Sequence, residues 1–111
     1  MSEIHDPGLV ATFAALGDRT RFAIVERLLT EGALSAGELQ DVADISAPAI
    51  SRHLKVLREA GLITQTVDRQ RRIYAVAPQA VATIGAWTMS HRAFWQESLD
   101  RLAAALDEEE P

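Results

Sequence analysis

The chain has 111 residues, near half of them apolar, and a formal net charge of −5, which suits one compact domain with one core. Cysteine is absent, which excludes a disulfide framework, a thiolate zinc site and a redox-sensing thiol; no run of about 18 apolar residues is present to span a bilayer. Met1 to Gly8 carries Glu3, His5 and Asp6 without a basic segment or an apolar run, so it does not read as a secretory signal, and a cytoplasmic location is expected.

After Pro7-Gly8, Leu9, Val10, Phe13, Ala14 and Leu16 recur at helical spacing and predict a first helix ending at Gly17. Asp18 caps a second helix running to Thr30, with Phe22, Val25, Leu28 and Leu29 as its expected buried stripe. Ser35 and Glu38 form a capping box, each satisfying the other's free amide, and open a short third helix with Leu39 and Val42 facing in. A tight turn at Asp44-Ile45 leads to Ser46, the cap of a fourth helix reaching Glu59; Pro48 is tolerated in its first turn, where amides lack intrahelical partners. Gly61 closes that helix. Leu62 to Val67 and Arg72 to Ala77 read as two strands around a hairpin tip, Asp68-Arg69-Gln70-Arg71. From Pro78 a long final helix, bent near Ser90, carries Val81, Ile84, Trp87, Phe94, Trp95, Leu99, Leu102 and Leu106 before a frayed acidic tail, Asp107 to Pro111.

The negative total conceals a basic stretch. Between Ile50 and Arg72 six basic residues face only Glu59 and Asp68, a net +4, so the remainder of the chain carries −9. A polyanion responds to the local patch within a Debye length of ~8 Å, not to the total. Two short helices, a turn of about three residues and a basic helix make a helix-turn-helix candidate. On the fourth helix Ile50, Leu54 and Leu57 share one face, while Pro48, Ser51, Arg52 and Lys55 fall about 100° to 200° away from it. The small first turn, Ala47-Pro48-Ala49, lets the helix N-terminus approach base edges. Arg52 suits base readout, because a guanidinium can bond guanine O6 and N7 together. Ser51 can reach a base or a phosphate, and Ser46, Lys55 and Arg58 suit phosphates. His53 points to the edge of the core stripe and reads as packing. Arg69, Arg71 and Arg72 give the hairpin a second grip on the backbone or the adjacent minor groove.

Two segments resemble a known family. Phe13-Ala14-Ala15-Leu16-Gly17-Asp18-Arg19-Thr20-Arg21 with Ile24-Val25-Glu26-Arg27-Leu28-Leu29 resembles the opening signature of the ArsR/SmtB repressors. Ile50-Ser51-Arg52-His53-Leu54-Lys55-Val56-Leu57-Arg58-Glu59-Ala60-Gly61-Leu62-Ile63 is similar to their recognition helix and following strand, and the likeness spans residues 9 to 77. It implies a homodimeric repressor that binds an imperfect palindrome near its own promoter in double-stranded DNA and leaves when an effector binds. It also puts Ala47, Pro48, Ser51 and Arg52 at base-reading positions and Arg69 to Arg72 in the wing. The run from Trp87 to Leu102 resembles a Cys-free branch. Two departures stand out: Arg19 replaces a usual proline, and Arg69 stands where a wing glycine is common.

The expected fold is therefore mainly α with a small β-hairpin: one winged helix-turn-helix domain over 1–111. Helices in 9–30 and 78–106 serve as scaffold and dimerisation elements, 35–59 is the helix-turn-helix and 62–77 the wing. Leu9, Val10, Phe13, Trp87, Phe94, Trp95, Leu99, Leu102 and Leu106 offer more apolar surface than one small core hides, which points to a dimer through the terminal helices. No metal site or other cofactor is expected. The third helix lacks the cysteines of thiolate sensors, and the final helix lacks the family's Asp-x-His with a later His-x-x-His or His-x-x-Glu. A sensory metal is poorly supported, His91 with Glu97 or His5 with Asp6 being the only weak donor sets. No catalytic constellation is visible, so an enzyme is not expected. The alternatives are a winged-helix module that binds protein and a metal-responsive repressor with a non-thiolate site; the effector is unknown, and the sign of regulation is open.

Overall fold

The computed structural model describes residues 7–108. His5, Asp6 and the last three residues of the acidic tail lie outside them. The elements run α1 (Pro7–Leu16), α2 (Arg19–Glu31), β1 (Leu34–Ser35), α3 (Ala36–Leu39) with a 3-10 turn over Gln40–Val42, α4 (Ala47–Glu59), β2 (Ile63–Asp68), β3 (Arg71–Val76), α5 (Pro78–Ser90) and α6 (Arg92–Glu108). The chain divides into two compact units, one reaching to Val81 and one beginning at Ala82.

The caps fall where the side chains demand them. Asp18 accepts from the Arg21 amide at the start of α2. Ser35 and Glu38 form the reciprocal capping box on α3, and Ser46 accepts from the Ala49 amide on α4. Gly61 closes α4 at φ 79, a left-handed conformation that glycine takes without a Cβ clash.

The core of the first unit is built on α4, whose Ile50, Leu54 and Leu57 are essentially sealed from solvent. They meet Ile24, Val25 and Leu28 of α2, Leu39 of α3, and Leu62, Ile63 and Tyr74 of the wing region. In α1 the buried positions are Thr12 and Ala15, and Val10 and Phe13 are exposed. One sequence expectation for the early helices is corrected: in α2 Phe22 and Leu29 are 49% and 60% exposed, because they share a flank about 100° round the helix from the Ile24-Val25-Leu28 stripe.

The wing is larger than a hairpin. β1, which had no strand-like run to announce it, pairs antiparallel with β3 (Leu34 opposite Tyr74, Ser35 opposite Ile73), giving a three-stranded sheet in the order β1-β3-β2. The hairpin is also tighter than the expected four-residue tip. Pairing continues to Asp68 opposite Arg71, leaving only Arg69 and Gln70 as the turn. Arg69 takes φ 63, as a two-residue hairpin turn requires, and is the one non-glycine residue with positive φ among those described.

The expected long final helix is two. α5 ends at Ser90, whose hydroxyl donates to the Trp87 carbonyl, and α6 starts at Arg92 after a single turn residue, His91. Neither α6 nor the part of α5 beyond Ala80 contains a buried residue.

Candidate nucleic-acid interface

The turn between α3 and α4 decides how α4 is presented. Gln40 reaches across it, its amide donating to the Ile45 carbonyl at 2.5 Å, so the last residue before the Ser46 cap is tied to the end of α3. Leu39, Val42 and Ile45 pack on the core beneath, which holds the two helices of the motif in register. α4 then exposes its first turn, Ala47 and Pro48, whose small side chains leave room for a close approach to the helix end.

All ten residues singled out for DNA contact are exposed: Ser46, Ala47, Pro48, Ser51, Arg52, Lys55, Arg58, Arg69, Arg71 and Arg72. Arg52, Lys55 and Arg58 pair with no carboxylate among the described residues, so their charge is presented to solvent. Because Ile50, Leu54 and Leu57 are locked into the core, the opposite face of the helix is fixed outward with its two cations and the Ser51 hydroxyl.

The wing's arginines are not one cluster. Arg71 and Arg72 leave opposite faces of β3, as neighbouring strand residues must. Arg71 turns back to α3, its Nη2 lying 3.3 Å from the Glu38 carboxylate. Glu38 is held below the usual carboxylate range first by the Ser35 backbone amide, then by the Ser35 side chain, against a partial loss of solvation, with the Arg71 charge adding to the effect. Both partners are half exposed, so this ion pair stabilises little. It links the start of β3 to α3 across the surface.

His53 lies on the inner flank of α4, with 23% of its side chain exposed, close to Asp18 and Arg21. Arg21 is a residue sequence reasoning passed over. Its Nε donates to the Ala15 carbonyl at 2.7 Å and its Nη1 sits 3.3 Å from His53 Nδ1. The only hint was its place in the first family-like segment. Arg27, bridging Glu31 and Asp41, was likewise unremarked; it joins α2 to the 3-10 turn.

Of the residues assigned to a dimer contact, Leu9 is partly exposed. The others are 40% to 61% exposed: Val10, Phe13, Trp87, Phe94, Trp95, Leu99, Leu102 and Leu106. Phe94 and Trp95 stack edge to face, with ring centroids 4.9 Å apart. Among the described residues no three His, Asp or Glu side chains gather where they could hold a metal ion. His91 Nδ1 lies 3.0 Å from both the Trp87 carbonyl and the Ser90 hydroxyl. Among the described residues no helix is long and apolar enough to cross a membrane.

Known proteins share this arrangement. A family model described as a helix-turn-helix domain matches residues 16–66. The chain is 42% identical over 95 residues to the HTH-type transcriptional regulator Rv2034 of Mycobacterium tuberculosis, covering 86% of this chain and 85% of that one. It is 38% identical to the arsenic resistance transcriptional regulator ArsR1 of Pseudomonas putida, over 71% of this chain and 60% of the relative's length. An ArsR-like transcriptional regulator from Rhodococcus sp. RHA1 superposes with a TM-score of 0.69 at 28% identity, covering 93% of each chain. With the exposed basic helix and its wing, these likenesses establish that this cysteine-free chain belongs to the ArsR family of helix-turn-helix transcriptional regulators, DNA-binding proteins and not enzymes.

Proposed function

We propose that this regulator is an autoregulatory repressor that binds a palindromic operator as a homodimer. The observation that carries the reading is the division of α4 into a sealed apolar face and an exposed face bearing Ser51, Arg52 and Lys55 with no ion pair among the described residues. In the major groove, Arg52 takes a guanine edge. Ser51 contacts a neighbouring base or phosphate, and Ala47 and Pro48 allow the close approach. Ser46, Lys55 and Arg58 hold phosphates, while Arg69 and Arg72 extend the grip along the wing. Arg71 joins them by exchanging Glu38 for a phosphate.

A single basic helix reads only a few base pairs, so an operator-length site needs two copies. The exposed apolar side chains of α1, α5 and α6 support an isologous contact that brings two such helices one DNA turn apart, about 34 Å. Leu9, Val10 and Phe13 supply the α1 part of that contact; Trp87, Phe94, Trp95, Leu99, Leu102 and Leu106 supply the rest.

Fluorescence anisotropy on the DNA upstream of its own gene, beside a scrambled duplex, tests this reading. Selective binding with a steep loss in salt is expected, with a log–log slope near −7 if about eight phosphates are neutralised by the two protomers. Equal, weak binding to both duplexes would reject operator recognition. It would favour a winged helix that serves a protein partner.

A further inference from the structure

Three helices of the first unit meet at one guanidinium. Arg21 receives Asp18 as a cap on its backbone amide at 3.0 Å and donates Nε–H to the Ala15 carbonyl, in the last turn of α1, at 2.7 Å. Its Nη1 lies 3.3 Å from Nδ1 of His53, the residue between Arg52 and Leu54 on α4. Arginine is a donor only, so this last contact is a hydrogen bond only when Nδ1 is bare. The contact fits a neutral imidazole with its proton on Nε2.

A second partner stands nearby. Asp18 Oδ2 is 3.8 Å from the same His53 nitrogen. Asp18 is held below its ordinary range chiefly by the Arg21 amide, against some desolvation, with the Arg21 and His53 charges adding to it. A proton on Nδ1 would turn His53 from an acceptor for Arg21 into a donor to Asp18, and would set two cations face to face. Among the described residues Asp18 and Arg21, both at the start of α2, are the charged groups in polar contact with His53; α1 contributes the Ala15 carbonyl, through Arg21.

We propose that Arg21 and His53 are positioning residues that set α4 against the end of α1, and that protonation of His53 releases this tie and weakens operator binding. The inference rests on the reading that α4 contacts DNA. His53 touches no base in it; it fixes the helix whose next-door residue, Arg52, does. With about a quarter of its side chain exposed, His53 is open to solvent protons without being a surface residue.

The test uses a duplex selected from a random library by the parent protein at pH 8. Affinity for it is measured at pH 8 and pH 5.5 at constant ionic strength. His53→Asn places an amide oxygen near the Nδ1 position and cannot be protonated there. It is expected to match the parent at pH 8 and to bind about three- to tenfold more tightly than the parent at pH 5.5, the equivalent of one ordinary hydrogen bond. His53→Leu, which fills the space without an acceptor, should bind less tightly than His53→Asn by the same factor at both pH values with its salt slope unchanged, while melting cooperatively. Parallel pH profiles for the parent and His53→Asn would overturn the proposal, as would parental affinity in His53→Leu at pH 8. Failure to select any duplex at pH 8 would instead overturn the DNA reading, and the clamp with it.

Discussion

Helices α4 and α6 carry similar leucine spacings and have opposite fates. In α4, Leu54 and Leu57 are 1% and 0% exposed, and the polar side of the helix is thereby held outward. In α6, Leu99, Leu102 and Leu106 are 60%, 56% and 56% exposed, and no residue of the helix is buried. The difference teaches where each helix finds its partner. α4 completes its burial within one chain, so its exposed face is free to serve a ligand. The apolar stripe of α6 finds no such burial among the described residues, which is why the proposed dimer contact is assigned to it.

The sharpest way to break the comparison is to empty the sealed side. Leu57→Ala removes a fully buried side chain and is expected to cost ~2–5 kcal/mol, a large share of the roughly 5–15 kcal/mol that holds a domain of this size together. Urea unfolding followed by circular dichroism reads it directly. The loss should be present at every protein concentration, since the defect lies inside one protomer.

Leu99→Glu strikes the open side. It places a charge in the stripe assigned to the dimer contact and is expected to weaken association by at least ~2 kcal/mol, about thirtyfold in the dissociation constant. Sedimentation equilibrium tests this, and stability should fall mainly on dilution, as linkage to assembly demands. A dimer of parental strength would remove α6 from the interface.

On the exposed face of α4, Arg52→Ala is expected to cost ~1–3 kcal/mol at the operator and to relax base preference at one position in each half-site. Stability should stay near that of the parent, because Arg52 has no ion pair or side-chain hydrogen bond among the described residues to lose. Unchanged affinity with unchanged preference would mean that another side chain reads the groove.

What the sequence disclosed follows the same division. The boundaries and caps of α4 were legible because each has a local cause: the Ser46 hydroxyl, the early proline, the closing glycine and a regular apolar period. The exposure of Pro48, Ser51, Arg52 and Lys55 followed from that period as well. Features set by distant partners were not legible. β1 is two residues long and exists because β3 offers it an edge. Phe22 and Leu29 look like core by type, and only the direction from which α4 and the sheet approach α2 leaves them outside. Arg21 gave no sign of joining three helices, since the Ala15 carbonyl and the His53 ring reach it only once the chain has folded.

The wing gives the smallest effect, and it separates stability from binding within one residue. Arg69 sits at φ 63, a conformation that costs an L-residue roughly 1–2 kcal/mol and that glycine reaches without the clash. Glycine gives back ~0.5–1 kcal/mol through the greater freedom of its unfolded chain. Arg69→Gly is therefore expected to raise stability by about 0.5–1 kcal/mol, visible as a small rise in Tm. The same change deletes a wing cation, so operator affinity should fall and the salt slope should flatten by about one for each wing that engages a phosphate. A variant that melts higher and binds less tightly would show that the arginine is kept in a strained turn for the sake of DNA. A variant that melts higher and binds as before would place the tip of the wing clear of the backbone and leave the grip to α4 and Arg72.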